Sequence, residues 1–119
     1  METTSITFFE GQEIRKTHYN GEWWYVVRDV VQVISSAADV KDYIKKMRKR
    51  DRELREKWDH LVVSLPIETN GGRQKLNCSN KEGLFRIIQA IPPTKTQPFK
   101  QWMMMTSYGE GGMYPPSLN

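Results

Sequence analysis

A dense run of basic residues is the feature of this sequence with the clearest chemical meaning. The segment from Lys41 to Lys57 holds nine of the 18 Lys and Arg residues and only four acids, a local net charge of +5, whereas the whole chain carries +4. The rest of the chain therefore sums to −1. Because clustered Lys and Arg side chains attract phosphate groups, the segment predicts a polyanionic partner.

The ordinary alternative for such a run is the solvated outer face of an amphipathic helix. Those faces mix both signs of charge, often with Glu four residues ahead of Lys. The stretch Lys45-Lys46-Met47-Arg48-Lys49-Arg50 contains no acid, which favours a binding surface. The candidate DNA-contacting residues are Lys41, Lys45, Lys46, Arg48, Lys49, Arg50, Arg52 and Arg55. The arginines 48, 52 and 55 are the candidates for base contacts, since bidentate Arg on guanine is the commonest specific contact.

Residues that could support catalysis are sparse. His18 and His60 are the only histidines, and neither lies in a metal-binding or nucleophile pattern. The sequence has no glycine-rich phosphate loop and no Gly-x-Ser-x-Gly motif. The single cysteine, Cys78, cannot form an intramolecular disulfide or a cysteine-based metal site, and we expect it to be buried. We therefore predict no catalytic residues, no metal and no cofactor, and a protein that is not an enzyme.

The basic run must be positioned by a helix. Val40, Tyr43, Ile44 and Met47 recur at the i, i+3, i+4, i+7 spacing of a buried helical face. The basic residues lie on the opposite side, so we expect Lys45, Arg48 and Arg52 to face solvent. Ser36, with Asp39 three residues later, predicts the start of this helix. Its apolar row could continue through Leu54 and Trp58, or Asp51 could cap a separate short helix; we favour a break near Asp51.

Strands are predicted on both sides of this helical region. Asn20-Gly21 between two apolar runs predicts a hairpin with a type I′ turn. A second hairpin is predicted around Asn70-Gly71-Gly72. Asp29 predicts a helix cap after the first strands, Ser79 a capping box before a further helix, and Thr96 the start of a last helix that contains Phe99 and Trp102.

This order of elements predicts an α+β fold. It comprises two antiparallel β-hairpin units, about five strands, with four to five short helices in a single compact domain over residues 6–102. Residues 103–119, rich in Gly and Pro after a run of Met, predict an irregular or frayed tail. No stretch is long and apolar enough to span a bilayer, and the N-terminus lacks the pattern of a secretory signal, so we expect a cytoplasmic protein without membrane contact.

Other basic and aromatic residues leave weaker alternatives open. Arg15, Lys16 and His18 could form a second cationic surface on a strand, and the loop from Gly71 to Lys75 could touch phosphate. Trp23-Trp24-Tyr25 could stack on single-stranded bases, although core packing fits a central strand better.

Four pieces of the sequence, taken in order, resemble the Bro-N domain of viral Bro proteins and prophage antirepressors. They are Gly11-Gln12-Glu13-Ile14-Arg15, the segment from Gly21 to Val31 that contains Asp29, Asn80-Lys-Glu-Gly83-Leu-Phe-Arg86, and Phe99-Lys-Gln-Trp102. The resemblance runs from about Ile6 to Trp102 and implies a DNA-binding regulatory module of phage or prophage origin. It supplies no base-contact residues.

Two partners follow from these observations. Double-stranded DNA, bound through the basic amphipathic helix, is the leading one. The alternative is a phage repressor protein that this module binds and inactivates without touching DNA. A homodimer is left open by the sequence.

Overall fold

Five strands form one antiparallel sheet in the computed structural model, which describes residues 3–92 and 96–109. The strands are β1 Ser5–Phe9, β2 Gln12–Tyr19, β3 Glu22–Val26, β4 Val63–Thr69 and β5 Gly72–Ser79. Their order across the sheet is β1-β2-β3-β5-β4, so the first three strands make a meander and the last two a hairpin. The two units join where Tyr25 faces Ser79 and Val26 faces Cys78. The predicted α+β class is confirmed.

The turn between β2 and β3 has the predicted geometry. Asn20 and Gly21 both have positive φ, 51° and 78°, as a type I′ turn requires. This turn sets the register in which Lys16 faces Tyr25. Lys16 is buried on the sheet with its Nζ atom 4.2 Å from the Trp23 ring centroid, and burial lowers the pKa of Lys16 to about 8.

Five helices are interleaved with the strands: α1 Val27–Ser35, α2 Val40–Arg50, α3 Arg52–Leu61, α4 Lys81–Ile88 and α5 Thr96–Gly109. The predicted break at Asp51 is confirmed, because its carboxylate accepts a hydrogen bond from the N–H of Leu54 and so caps α3. Among these helices none is long and apolar enough to cross a membrane.

Three predicted helix starts were wrong. Asp29 lies inside the first turn of α1, because β3 runs directly into this helix and leaves Val26 as the N-cap. Ser36 ends α1 in the left-handed conformation, and Asp39 caps α2 instead. Ser79 is occupied with the carbonyl of Leu61, so Asn80 caps α4.

The last helix is longer than predicted. Residues 103–109, expected to be irregular, continue α5. Met103 of this extension is buried in the core, whereas Met104 and Met105 are exposed. The remainder of the predicted tail, residues 110–119, lies outside the described residues.

The main core lies between the helices and one face of the sheet. Phe9 of β1 packs edge to face on Phe99 and Trp102 of α5, with ring centroids 5.2 and 5.5 Å away. A smaller hydrophobic cluster, which includes Trp24 and Cys78, lies on the other face of the sheet. Burial raises the pKa of the Cys78 thiol to about 12. Trp24 and Tyr25 are buried, as core packing of this strand predicts, whereas Trp23 is half-buried.

Candidate functional site

The basic residues are presented by the corner between α2 and α3. Helix α2 ends and α3 begins at Asp51, so the run of cations bends instead of continuing along one helix. Met47, Leu54 and Trp58 face inward and are buried. The polar sides of both helices are thereby turned outward around the corner.

Arg86 of α4 stabilises this corner through ion pairs with Asp51 and Glu53. Its guanidinium lies 3.1 Å from Asp51 Oδ1 and 2.8 Å from Glu53 Oε1, and its side chain is only 19% exposed. The end of α2 is also tied down, because Arg50 donates a hydrogen bond to the carbonyl of Ala90. Arg55 donates to the carbonyl of Lys49 across the corner. These contacts hold α2 and α3 at one angle.

The acidic partners at the corner predict a loss of stability in acid. The hydrogen bond from the Leu54 N–H, together with Arg86, lowers the pKa of Asp51 below its ordinary value of 3.8. A carboxylate with a lowered folded pKa stabilises the fold above its unfolded pKa, and this contribution is lost as pH falls through the folded value. We expect the urea concentration at the unfolding midpoint to decrease as the pH is lowered below about 4. The decrease should be less steep in Asp51→Asn, which keeps a capping oxygen but has no carboxylate to protonate. Equal pH dependence in the variant and wild type would contradict this role.

A groove opens between this corner and the sheet. Two adjoining cavities, of about 290 and 400 Å³, share Lys41, Ile44 and Arg48. We call the combined space the cationic groove. The cations that line it are Arg28, Lys41, Lys45, Arg48, Lys49, Arg55 and Lys75. No Asp or Glu stands among the described residues that line it, so every formal charge on its lining is positive.

Five of the eight residues predicted as contacts line the cationic groove: Lys41, Lys45, Arg48, Lys49 and Arg55. The lysines 41, 45 and 49 are exposed and form no ion pair with any acid in the described part of the chain. They are therefore free to meet an external anion.

The other three predicted residues point to neighbouring groups outside the groove. Lys46 Nζ lies 3.1 Å from Asp42 Oδ2, and Arg52 Nε lies 3.0 Å from Glu56 Oε2. Both pairs join residues four apart on an exposed helical surface and contribute little to stability. Arg50 is the residue bonded to Ala90.

Arg48 was expected to face solvent, and that expectation was wrong. The residue is half-buried, and its guanidinium carbon lies 4.5 Å from the centroid of the Trp58 ring. A cation over the face of a Trp ring is attracted by the ring quadrupole, which holds Arg48 on the wall shared by the two cavities.

Two groove cations, Arg28 and Lys75, did not emerge as DNA-contacting candidates from the sequence. Arg28 lies in the first turn of α1 and Lys75 on β5, far from the basic run in the chain. Only the folded sheet brings them opposite α2. The sequence indicates Lys75 only weakly, because the cationic loop from Gly71 to Lys75 could touch phosphate. Arg28 carried none.

The second cationic surface considered on β2 does not form. Arg15 donates hydrogen bonds through Nε and Nη2 to the carboxylate of Asp29, each 2.8 Å long, and Lys16 is buried. His18 is the one member of that set that is exposed. The cationic groove is therefore the better candidate for anion binding.

Comparison with known protein families gives a match over most of the chain. The sequence model described as "BRO family, N-terminal domain" matches residues 13–107, most of the chain. No curated protein and no solved structure matches.

Proposed function

This chain belongs to the BRO family through its N-terminal domain, and on that premise we propose that this BRO-type regulatory domain of phage or prophage origin binds duplex DNA in the cationic groove. It acts as a binding module without catalysis. The observation that supports the proposal is the groove itself, in which seven cations from four elements converge without an acid.

The arrangement suits a phosphodiester backbone. Cations on opposite walls, Lys41 and Lys45 on α2 and Lys75 on β5, can meet phosphates from two sides. Phosphate contacts of this kind position a protein on DNA and supply most of its non-specific affinity. The groove therefore accounts for affinity and orientation, whereas sequence preference would require base contacts by the groove arginines.

A salt titration tests this proposal. Each phosphate contact releases condensed counterion, so log K should fall linearly with log salt at about −0.9 per contact. For five to seven contacts from the groove we expect a slope of about −4.5 to −6.3 with a blunt duplex. Binding that is undetectable at low salt, or unchanged as salt rises, would overturn the proposal.

The alternative partner, a phage repressor, has one observation in its favour. The groove floor contains the apolar side chains of Ile44 and Leu76, which an acidic amphipathic segment of a protein could contact. A pull-down from host lysate separates the two functions. A single stoichiometric protein that survives nuclease treatment would support the repressor, and nucleic acid alone would support DNA.

The extent of the binding unit and its assembly also remain proposals. We propose that residues 6–102 include all the groove residues needed for binding. The homodimer left open by the sequence stays a prediction, which sedimentation of the free protein would test.

A further inference from the structure

The inner end of the cationic groove differs chemically from the outer end. The outer cavity is rimmed by lysines and arginines, whereas the inner cavity of about 290 Å³ has a mixed wall. Trp58, Leu76 and Ile44 supply apolar surface, and Asn77 supplies an exposed amide on β5. A phosphate alone would gain nothing from such a floor, because an anion is not stabilised by apolar groups.

Arg48 stands at the junction of the two cavities. It lies over the Trp58 ring, and its Nε atom is buried without a hydrogen-bond partner in the described structure. A guanidinium held in this way offers a planar, charged surface rather than a flexible point charge. Nucleic-acid bases stack on such surfaces, on both aromatic rings and Arg guanidinium planes.

Resting on the proposed function, we propose that the inner end of the groove binds one unpaired nucleotide of the bound DNA. Its base stacks against Arg48 beside Trp58 and directs its polar edge toward Asn77. Its phosphate lies between Lys41 and Lys75, which line the same cavity. The nucleotide thus uses the apolar floor, the amide and the cations together.

Size and shape select an unpaired base over a paired one. The inner cavity is at the small end of ligand sites, which begin at roughly 300 Å³, and a base pair held in a duplex cannot enter it. Removing a base from an intact stack costs energy, and the cost is least where the base is already unpaired. The site should therefore favour DNA with a bulged or overhanging nucleotide.

The experiment compares two duplexes that differ by a single bulged 2-aminopurine. We expect the 119-residue chain to bind the bulged duplex about tenfold more tightly than the blunt one, with quenched 2-aminopurine fluorescence in the complex. Equal affinities with unchanged fluorescence would overturn the nucleotide site and leave duplex binding intact. Failure to bind either duplex would overturn both proposals.

A variant pair locates the site and its source of ligand. Arg48→Lys keeps the charge but cannot stack, so the bulged-to-blunt affinity ratio should fall to about one. Arg73→Lys, a matched exchange at a position outside the groove, should keep the ratio. A ratio that persists in Arg48→Lys would overturn the assignment, and if that variant unfolds, the wild-type fluorescence decides.

Competition by free deoxyadenosine monophosphate at micromolar concentration would overturn the view that the nucleotide belongs to the bound strand.

Discussion

Replacing Lys41, Lys45 and Lys49 together by Gln is expected to weaken duplex DNA binding by roughly 10²- to 10³-fold at about 0.1 M salt. The three side chains line the cationic groove, are exposed, and form no ion pair among the described residues. Counterion release alone contributes about eightfold per phosphate contact at this salt concentration. The salt slope should also become shallower by about 2.7, three times the value for one contact.

A matched triple variant separates local contacts from overall charge. Lys57→Gln, Arg73→Gln and Lys81→Gln remove the same charge from positions that do not line the groove. Fluorescence anisotropy across a salt series should show a large change in affinity and slope only in the groove variant. Equal losses in the two triples would show that net charge governs binding, and the groove would lose its role. Far-UV circular dichroism confirms that both variants remain folded.

The helical corner could be predicted from the sequence because its signals are local. The i, i+3, i+4, i+7 spacing from Val40 to Met47 and the capping carboxylate of Asp51 act within one or two turns of helix. The Asn20-Gly21 turn is similarly local. The same periodicity predicts Lys41 and Lys45 on the face opposite the buried row, with Lys49 on its flank.

The other half of the groove could not be predicted, since it depends on contacts between distant segments. Lys75 reaches the groove because β5 pairs with β3 in the centre of the sheet, and no local pattern encodes that pairing. The burial of Arg48 depends on Trp58 in the next helix. Helical spacing assigned Arg48 to the solvent side because it contains no information about neighbouring helices.

Several residues in the segments that carry the family resemblance make contacts that stabilise the fold. Arg15 and Asp29 come from two of these pieces and join in a two-bond ion pair between β2 and α1. Asn80 caps α4, and Arg86 holds the α2–α3 corner. Phe99 packs on Phe9 in the core. The resemblance therefore identifies the scaffold, whereas the cations of the groove lie mostly in the segment between those pieces.

Gly83 lies at a close contact between α4 and the end of α3, and its replacement by Ala should have a large effect on stability. Exchange of Gly for Ala inside a helix ordinarily stabilises by about 1 kcal/mol. Here a Cβ atom at position 83 would overlap Ser79 Oγ and lie 3.0 Å from the carbonyl oxygen of Leu61. Ser79 Oγ donates a 2.7 Å hydrogen bond to that same carbonyl, and Ser79 is fully buried. The methyl group must therefore displace either the hydroxyl or helix α4.

We expect Gly83→Ala to lower the free energy of unfolding by about 1–5 kcal/mol. Overpacking a filled site costs about 1–3 kcal/mol, and a buried carbonyl that loses its hydrogen bond adds a similar amount, against which the helix preference of Ala recovers about 1 kcal/mol. Urea denaturation measures the change through the midpoint, with the slope unchanged.

A double-mutant cycle with Ser79→Ala identifies the cause. Ser79→Ala alone should destabilise, because the Leu61 carbonyl loses its donor. In the double variant the overlap with the hydroxyl is gone, so the combined loss should be smaller than the sum of the single losses by about 1 kcal/mol or more. Additive losses would assign the cost of Gly83→Ala to the Leu61 carbonyl alone. A Gly83→Ala variant more stable than wild type would mean that α4 does not approach the end of α3 as closely as this packing requires.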